Sequence, residues 1–260
     1  ADGAISFMDS CDFLDLLQEK GNLPDEVNLL KSVEKFDSVE GTTILAIRYR
    51  DGVLVSGDRR ATMGNVVVYD RAEKVIPIDD DSVLAISGSP AIAYEIARML
   101  EMSVQYYRRS QLQDLSLDGK LRSLSRLLRQ NLSMAMQGVG AVIPIYALFD
   151  KSEGEGHGKI FFYDLLGATF ESVDFCTTGS GSHIIRGALY YVNRWGDVPL
   201  AEMDERMALE TTVKMLETAA EYDTATGGYK SSSLVYPTVM RVRADGISKV
   251  SEEELKLILS

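Results

Sequence analysis

Apolar positions recur with a period of two along residues 43–49, where Ile44 and Ala46 alternate with Leu45, Ile47 and Tyr49. Both faces are apolar, which predicts a strand inside a sheet covered on each side. Arg50-Asp51-Gly52 is a turn signal that returns the chain along a second strand, 53–57. Beyond a polar connection over 58–64, further strands are read at 74–78 and 83–88, separated by the turn Asp79-Asp80-Asp81. Ser89-Pro90 supplies an N-cap hydroxyl and a proline at the first helical position. The helix it opens runs to about Arg109, with Ile92, Ile96, Met99 or Leu100, and Val104 at helical spacing. A second helix, 118–137, carries the stripe Leu121, Leu124, Leu128 and Leu132.

Strands resume at 141–149, 159–164, 168–172 and 175–178, and helices at 183–195 and 200–222. Strands at 234–243 and 247–250 precede a short acidic helix after Ser251. Blocks of strands and blocks of helices, without strict alternation, predict an α+β domain of four layers, an αββα sandwich of two antiparallel sheets with helices outside each. Neither a linker nor an internal repeat interrupts 42–260, so that span is expected to be one domain.

Residues 1–41 are of a different kind. They hold ten acidic and three basic residues, a balance of −7 in a chain of net charge −12. Phe7, Met8, Cys11, Phe13, Leu14 and Leu17 would line one face of a short helix over 6–20, and a second amphipathic piece covers 27–36. Two readings stand: a partly disordered acidic tail, or a removable propeptide that docks through its few apolar residues. The acidic balance argues against nucleic acid as a partner, because a phosphate-binding surface needs clustered Lys and Arg. No apolar run approaches the roughly 18 residues that span a bilayer, and no basic stretch leads into an apolar one as in a secretory signal. Two cysteines, Cys11 and Cys176, make no disulfide framework and fit a reducing compartment. A cytoplasmic protein is expected, without membrane or nucleic-acid partners.

Histidine chemistry has only His157, in a glycine-rich hairpin loop, and His183, at a helix start. Neither has Cys or His neighbours at metal-ligand spacing, and no phosphate-binding glycine loop occurs, so neither metal nor cofactor is expected. What remains is a set of polar residues at strand ends: Thr42, Asp58, Lys74, Gly88, Ser180 and Asp223. Pairing 43–49 with 53–57 sets Thr42 beside Asp58, and antiparallel neighbours bring Lys74 and Gly88 to the same edge. Lys74 beside Asp58 can be charged and partly buried, each offsetting the other's desolvation. A threonine hydroxyl is inert unless a base stands next to it; cutting the chain between Gly41 and Thr42 would put a free amine there. Taken alone, Gly-Thr-Thr merely begins a strand.

The motifs together are more specific. Gly41-Thr42-Thr43, Gly57-Asp58-Arg59-Arg60-Ala61-Thr62, Lys74-Val75, Ser87-Gly88-Ser89, Gly179-Ser180-Gly181-Ser182 and Asp223-Thr224-Ala225-Thr226-Gly227-Gly228 follow one another in the order and spacing of proteasome β-subunits. The chain resembles the bacterial, actinobacterial-type members through its long prosegment and its Asp-x-x-Thr-Gly-Gly ending, over essentially all of 41–250. The resemblance implies the N-terminal-nucleophile hydrolase fold and a threonine endopeptidase, made active by autocatalytic removal of residues 1–41. It implies Thr42 as nucleophile and its own freed amine as the base. Lys74 would lower the amine's pKa, Asp58 would orient Lys74, and the Gly88 amide would be an oxyanion donor. Ser180 and Asp223 would hold the amine and order the attacking water. Thr226 stands where many relatives have serine and keeps the hydroxyl. Thr62 would bind substrate backbone as an added strand, and Ala61, Ala72, Ile86 and Pro90 would line the pocket for the residue before the scissile bond, favouring hydrophobic ones.

Partners implied in the same way are sister β-subunits in a heptameric ring, α-subunit rings, an ATP-dependent unfoldase or other activator, and polypeptide substrates. Competing readings are the peptidase subunit of the two-part ATP-dependent bacterial protease, an amidase of the wider N-terminal-nucleophile class, and a non-catalytic structural ring subunit.

Overall fold

The alternation over 43–49 becomes strand β1 (Thr43–Tyr49), paired antiparallel with β2 (Gly52–Gly57), so that Ile44 faces Gly57 and Tyr49 faces Gly52. The structure, a computed structural model, describes residues 41–63, 66–137, 140–152, 154, 156–229 and 235–259. The helices expected over 6–20 and 27–36 lie outside these residues.

β1 and β2 form the centre of a five-stranded sheet with β10 (Phe175–Gly179), β11 (Thr238–Arg243) and β12 (Gly246–Lys249), in the order β10-β1-β2-β11-β12. A second sheet runs β5 (Val75–Pro77), β6 (Ser82–Ala85), β7 (Ile145–Asp150), β8 (His157–Tyr163), β9 (Thr169–Ser172). Among the described residues every strand pairing in both sheets is antiparallel. The period of two then sorts side chains between cores. Ile44, Ala46, Val53 and Val55 meet Val83, Ala85, Ile145 and Ala147 between the sheets. Leu45, Ile47 and Leu54 face outward onto helices α4 (Ser182–Trp195), α5 (Glu205–Tyr222) and α6 (Glu252–Leu259), against Ile185, Leu189, Val213 and Leu255. On the far side Leu84, Tyr146 and Leu148 pack with Leu100, Val104, Leu124 and Leu128 of α1 (Pro90–Gln111) and α2 (Leu117–Gln130). The result is the four-layer sandwich of two antiparallel sheets expected from the blocks. Each buried Val, Leu or Ile among them contributes about 1.5–3 kcal/mol by leaving water.

Several elements differ from expectation. The stretch read as polar connection, 58–64, holds β3 (Ala61–Met63), which pairs with β4 (Val66–Tyr69) from the residues beyond it, for which no element was expected. All four β4 side chains are exposed, so no alternation marks it. The helix expected over 118–137 is interrupted at Asn131, whose backbone N–H turns back to Arg129 and Leu128 before α3 (Leu132–Met136), and Leu132 does not join the core. On α1, Leu100 takes the buried position and Met99 is exposed. α5 begins only at Glu205 because the Asp204 carboxylate accepts the Met207 N–H at 2.8 Å, after a separate 3-10 turn, Leu200–Glu202. The strand expected from 141 starts at Ile145, while Val142 instead bridges to Gly88.

The acidic turn between β5 and β6 is fastened to α2. Lys120 is buried and its Nζ lies 2.7 Å from Asp79 Oδ2 and 2.6 Å from Asp81 Oδ1. Burial raises the Asp81 carboxyl above its usual range, while for Asp79 the hydrogen bond and charge of Lys120 outweigh burial and lower it. Lys120→Met leaves both carboxylates without their cation. The variant is expected to lose about 3 kcal/mol of unfolding free energy by urea denaturation, with an unchanged denaturant slope.

Candidate active site

β1 begins where two loops and two strands converge, and Thr42, buried at its start, is the meeting point. Ile44 of β1 is opposite Gly57 of β2, which puts Asp58 alongside Thr43, and the Asp58 N–H donates to the Thr43 carbonyl at 3.1 Å. The Asp58 carboxylate is fully buried and fully engaged. Oδ1 accepts from Thr43 N at 2.8 Å and from Lys74 Nζ at 2.7 Å; Oδ2 accepts from Arg60 N at 2.9 Å and Gly227 N at 2.8 Å. Three segments distant in sequence, at Thr43, Lys74 and Gly227, are thereby fixed to one carboxylate, with charge assistance in each bond.

Lys74 stands just before β5, and the Ile86 N–H donates to its carbonyl at 2.8 Å, which ties it to the strand leading to Gly88. All three Nζ protons have acceptors: Asp58 Oδ1, the Arg60 carbonyl at 2.5 Å and the Gly41 carbonyl at 3.1 Å. Burial pushes the Lys74 ammonium below the ordinary lysine value, the charge and hydrogen bond of Asp58 oppose this, and the positive charge of Arg60 adds to the lowering.

The Thr42 hydroxyl donates to the Gly41 carbonyl at 2.5 Å, so that carbonyl receives both Thr42 Oγ1 and Lys74 Nζ. On the other side a relay begins at the Thr42 backbone nitrogen, which donates to Ser180 Oγ at 3.3 Å. Ser180 Oγ is 2.6 Å from Asp223 Oδ2 and 3.2 Å from the Thr42 carbonyl, so its single proton goes to the nearer carboxylate. Thr226 Oγ1 donates to the same Oδ2 at 2.6 Å and therefore accepts from Thr43 Oγ1, also at 2.6 Å. Thr226 is fully buried.

Gly88 has φ +102°, and a Cβ there would lie 2.0 Å from the Ala141 carbonyl oxygen, so only glycine fits. The bonds of its bridge run from Ser89 N to Ala141 O and from Ile143 N to Ser87 O. They flank Gly88 and leave its own amide turned away from Val142. At Gly41 a Cβ would fall 2.2 Å from Thr62 Oγ1 and 2.8 Å from Ala225 Cβ. Thr62 is thus a wall of the site as well as a member of β3.

A cavity of ≈ 290 Å³ opens beside Gly41, Thr42, Lys74 and Gly88. Ala61, Ala72, Ile86 and Pro90 all line it, joined by Val68, Tyr69, Ala93 and Tyr94, none of which was singled out from sequence. Tyr94 sits one helical turn after Pro90, a spacing that puts both on one face, so periodicity contained that signal. Val68 and Tyr69 come from the β3–β4 hairpin and carried none. The Tyr94 hydroxyl is spent on the Glu73 carbonyl at 2.9 Å, which leaves an apolar wall. Arg60, Thr43 and Gly227 are further members of the site that sequence reasoning did not assign.

His157 and His183 are both exposed, and neither stands among the residues around Thr42. Burial pushes the Cys176 thiol up to about 12, so it is no nucleophile at neutral pH. Among the described residues no group of three or more His, Cys, Asp or Glu side chains is placed to hold a metal ion, and no helix is long and apolar enough to cross a membrane.

Comparison with known proteins agrees with this architecture. The family model described as "Proteasome subunit" matches residues 38–231. "Proteasome subunit beta" of Acidothermus cellulolyticus is 37% identical over 239 residues, covering 91% of this chain and 80% of its own. "Proteasome subunit beta 2" of Thermomonospora curvata is 40% identical over 219 residues, covering 84% of this chain and 75% of its own. "Proteasome subunit beta 1" of Streptomyces avermitilis is 37% identical over 241 residues, covering 92% and 81%.

Asp58→Asn removes the countercharge of a buried ammonium and is expected to cost about 3–5 kcal/mol of stability at neutral pH. Because the folded pKa of Lys74 lies below its unfolded value, the unfolded chain binds more protons between the two, and stability rises with pH across that window. The deficit of the Asn variant should therefore shrink at alkaline pH, read as a converging pair of urea midpoints.

Proposed function

The chain belongs to the proteasome subunit family, and we propose that Thr42, freed by cleavage after Gly41, is the nucleophile of its threonine endopeptidase activity. It is a peptidase subunit of the proteasome core, assembled in rings with α-type subunits. One observation carries the assignment of Thr42: its hydroxyl and the Lys74 ammonium converge on the Gly41 carbonyl, and its nitrogen enters the Ser180–Asp223 relay.

In the uncut chain Thr42 Oγ1 adds to the Gly41 carbonyl carbon, and the oxygen that becomes negative lies next to Lys74 Nζ. The carbon–nitrogen bond then breaks, the Thr42 nitrogen takes up the hydroxyl proton, and Gly41 is left as an ester on Oγ1. Water hydrolyses the ester, releasing residues 1–41 as an acidic propeptide and exposing an amine and a hydroxyl on one residue. A free α-amine has a pKa of about 7.7–8.0, close to the pH at which a general base works best. Lys74 lowers it further as a neighbouring cation, Asp58 holds Lys74, and Ser180, Asp223 and Thr226 hold the amine. Substrate peptides then acylate Oγ1 by the same addition, with the Gly88 amide as oxyanion donor, a contribution of about 2.7–4 kcal/mol in comparable sites.

The substrate backbone runs beside β3 at Thr62 as an added strand. The side chain before the scissile bond enters the apolar cavity lined by Ala61, Ala72, Ile86 and Pro90, which favours hydrophobic residues. An ATP-dependent unfoldase or other activator delivers the chains, and the cytoplasm, where Cys11 and Cys176 stay reduced, is the compartment.

Intact mass of the assembled particle tests the nucleophile. The parent should lose residues 1–41, whereas Thr42→Ala should keep them and hydrolyse no peptide. Gly41→Ala should also keep them, because its methyl group collides with Thr62 and Ala225 while the hydroxyl is untouched. A stable parent particle that retains the leader would sink the catalytic reading and leave a ring scaffold. Ala61→Asp, which puts a carboxylate at the cavity wall, should lower kcat/KM for peptides cleaved after leucine or tyrosine by at least about tenfold, measured on processed particles.

A further inference from the structure

Arg60 lies between the two halves of the site. Its main chain belongs to the Asp58–Lys74 half, donating N–H to Asp58 Oδ2 at 2.9 Å and accepting Lys74 Nζ on its carbonyl at 2.5 Å. Its side chain crosses to the other half. Nη1 donates to the Thr224 carbonyl at 2.9 Å and the Thr226 carbonyl at 3.2 Å, while Nε reaches Asp70 Oδ1 at 3.5 Å. Those carbonyls belong to the turn that ends α5, in which Asp223 receives Ser180 and Thr226, Thr226 receives Thr43, and Gly227 donates to Asp58. Nη1 gives one proton to each carbonyl while Nε turns to Asp70, so the planar guanidinium holds partners in fixed directions that a lysine ammonium does not fix. The side chain is 12% exposed, so solvent screens it little.

We propose that the Arg60 guanidinium is a positioning group for the Thr42 reaction: it clamps the 223–227 turn against the Asp58 segment, so that the Ser180–Asp223 relay meets the Thr42 nitrogen while Lys74 meets the Gly41 carbonyl that the Thr42 hydroxyl also reaches. Without the clamp each half retains its own hydrogen bonds, and their relative placement is left to weaker ties such as Gly227 N to Asp58, Thr43 to Thr226 and the Ser180 link from Thr42 to Asp223. The charge acts as well. The ammonium of Lys74 is faced by the carboxylates of Asp58 and Asp223 and by the guanidinium of Arg60. Arg60 opposes the two carboxylates and favours neutral amines around Thr42.

The proposal rests on Thr42 being the nucleophile, and the test separates the two. Arg60→Gln removes the charge, and Arg60→Lys keeps the charge but gives up the fork. Particles assembled with α-type partners are assayed for exposed Thr42 termini by intact mass. kcat and KM for a hydrophobic fluorogenic peptide are then taken per exposed terminus across pH. Arg60→Gln should lose about a hundredfold in kcat, the scale of a displacement of about 1 Å, with KM within about threefold. Its acidic limb should move to higher pH, because removing a cation raises the pKa of a neighbouring amine. Arg60→Lys should lose kcat while keeping the limb in place. A Gln variant within about threefold of parent kcat per terminus overturns the proposal, as do two variants whose limbs both coincide with the parent's. Should the Gln variant fail to assemble, a Lys variant with parental kcat overturns it equally. A parent particle that exposes no Thr42 terminus refutes the nucleophile itself rather than the role of Arg60.

Discussion

A lysine ammonium buried to 5% exposure can stay in place only if a carboxylate accompanies it, and the site is built around that requirement. Asp58 meets it, and in doing so gathers Thr43, Arg60 and Gly227 through the remaining lone pairs of the same carboxylate. The pair is therefore less a source of stability than a fixed point. Replacing it with apolar side chains would cost little in folding, yet it would release the segments whose relative positions the chemistry uses. The lysine so held donates to the Gly41 carbonyl, which also accepts the Thr42 hydroxyl.

The sandwich gives this arrangement its stiffness. β1 is covered on both faces and paired along both edges, by β2 and by β10, so the residue at its start has little freedom. Gly88 and Lys74 flank strands of the second sheet, while Thr42, Asp58 and Ser180 come from the first or its loops. The site straddles the two sheets at one edge, and Ser87 Oγ, which donates to the Ile143 carbonyl at 2.7 Å and lies 3.0 Å from Thr178 Oγ1, ties them together behind Gly88. Positions set by strands rather than by loops suit a reaction that needs near-contact geometry before any substrate arrives.

Much of this was legible before any coordinates. The double apolar alternation of 43–49 required a strand between two layers, and the turn at Arg50-Asp51-Gly52 then put Thr42 next to Asp58. What stayed hidden follows from local physics. Val66–Tyr69 is a strand with both faces in solvent, so its side chains show no period, and the cavity wall formed by Val68 and Tyr69 was hidden with it. Helix α2 breaks at Asn131 although Leu132 keeps the apolar spacing, because a backbone turn closes on Leu128 and Arg129. Arg60 was visible as part of a motif, but a long side chain can reach many partners, and only its path to Thr224 and Thr226 shows what it fastens.

In the proposed reaction the hydroxyl oxygen of Thr42 is the atom that is acylated. Treating processed particles with a peptide β-lactone, whose ring opens by acylating a nucleophile, and mapping the modified peptide reads that atom directly. One adduct per subunit is expected, as an ester on the peptide that begins at Thr42, formed in step with the loss of peptide hydrolysis. An adduct on another residue, or inhibited particles whose Thr42 peptide keeps its unmodified mass, would contradict it.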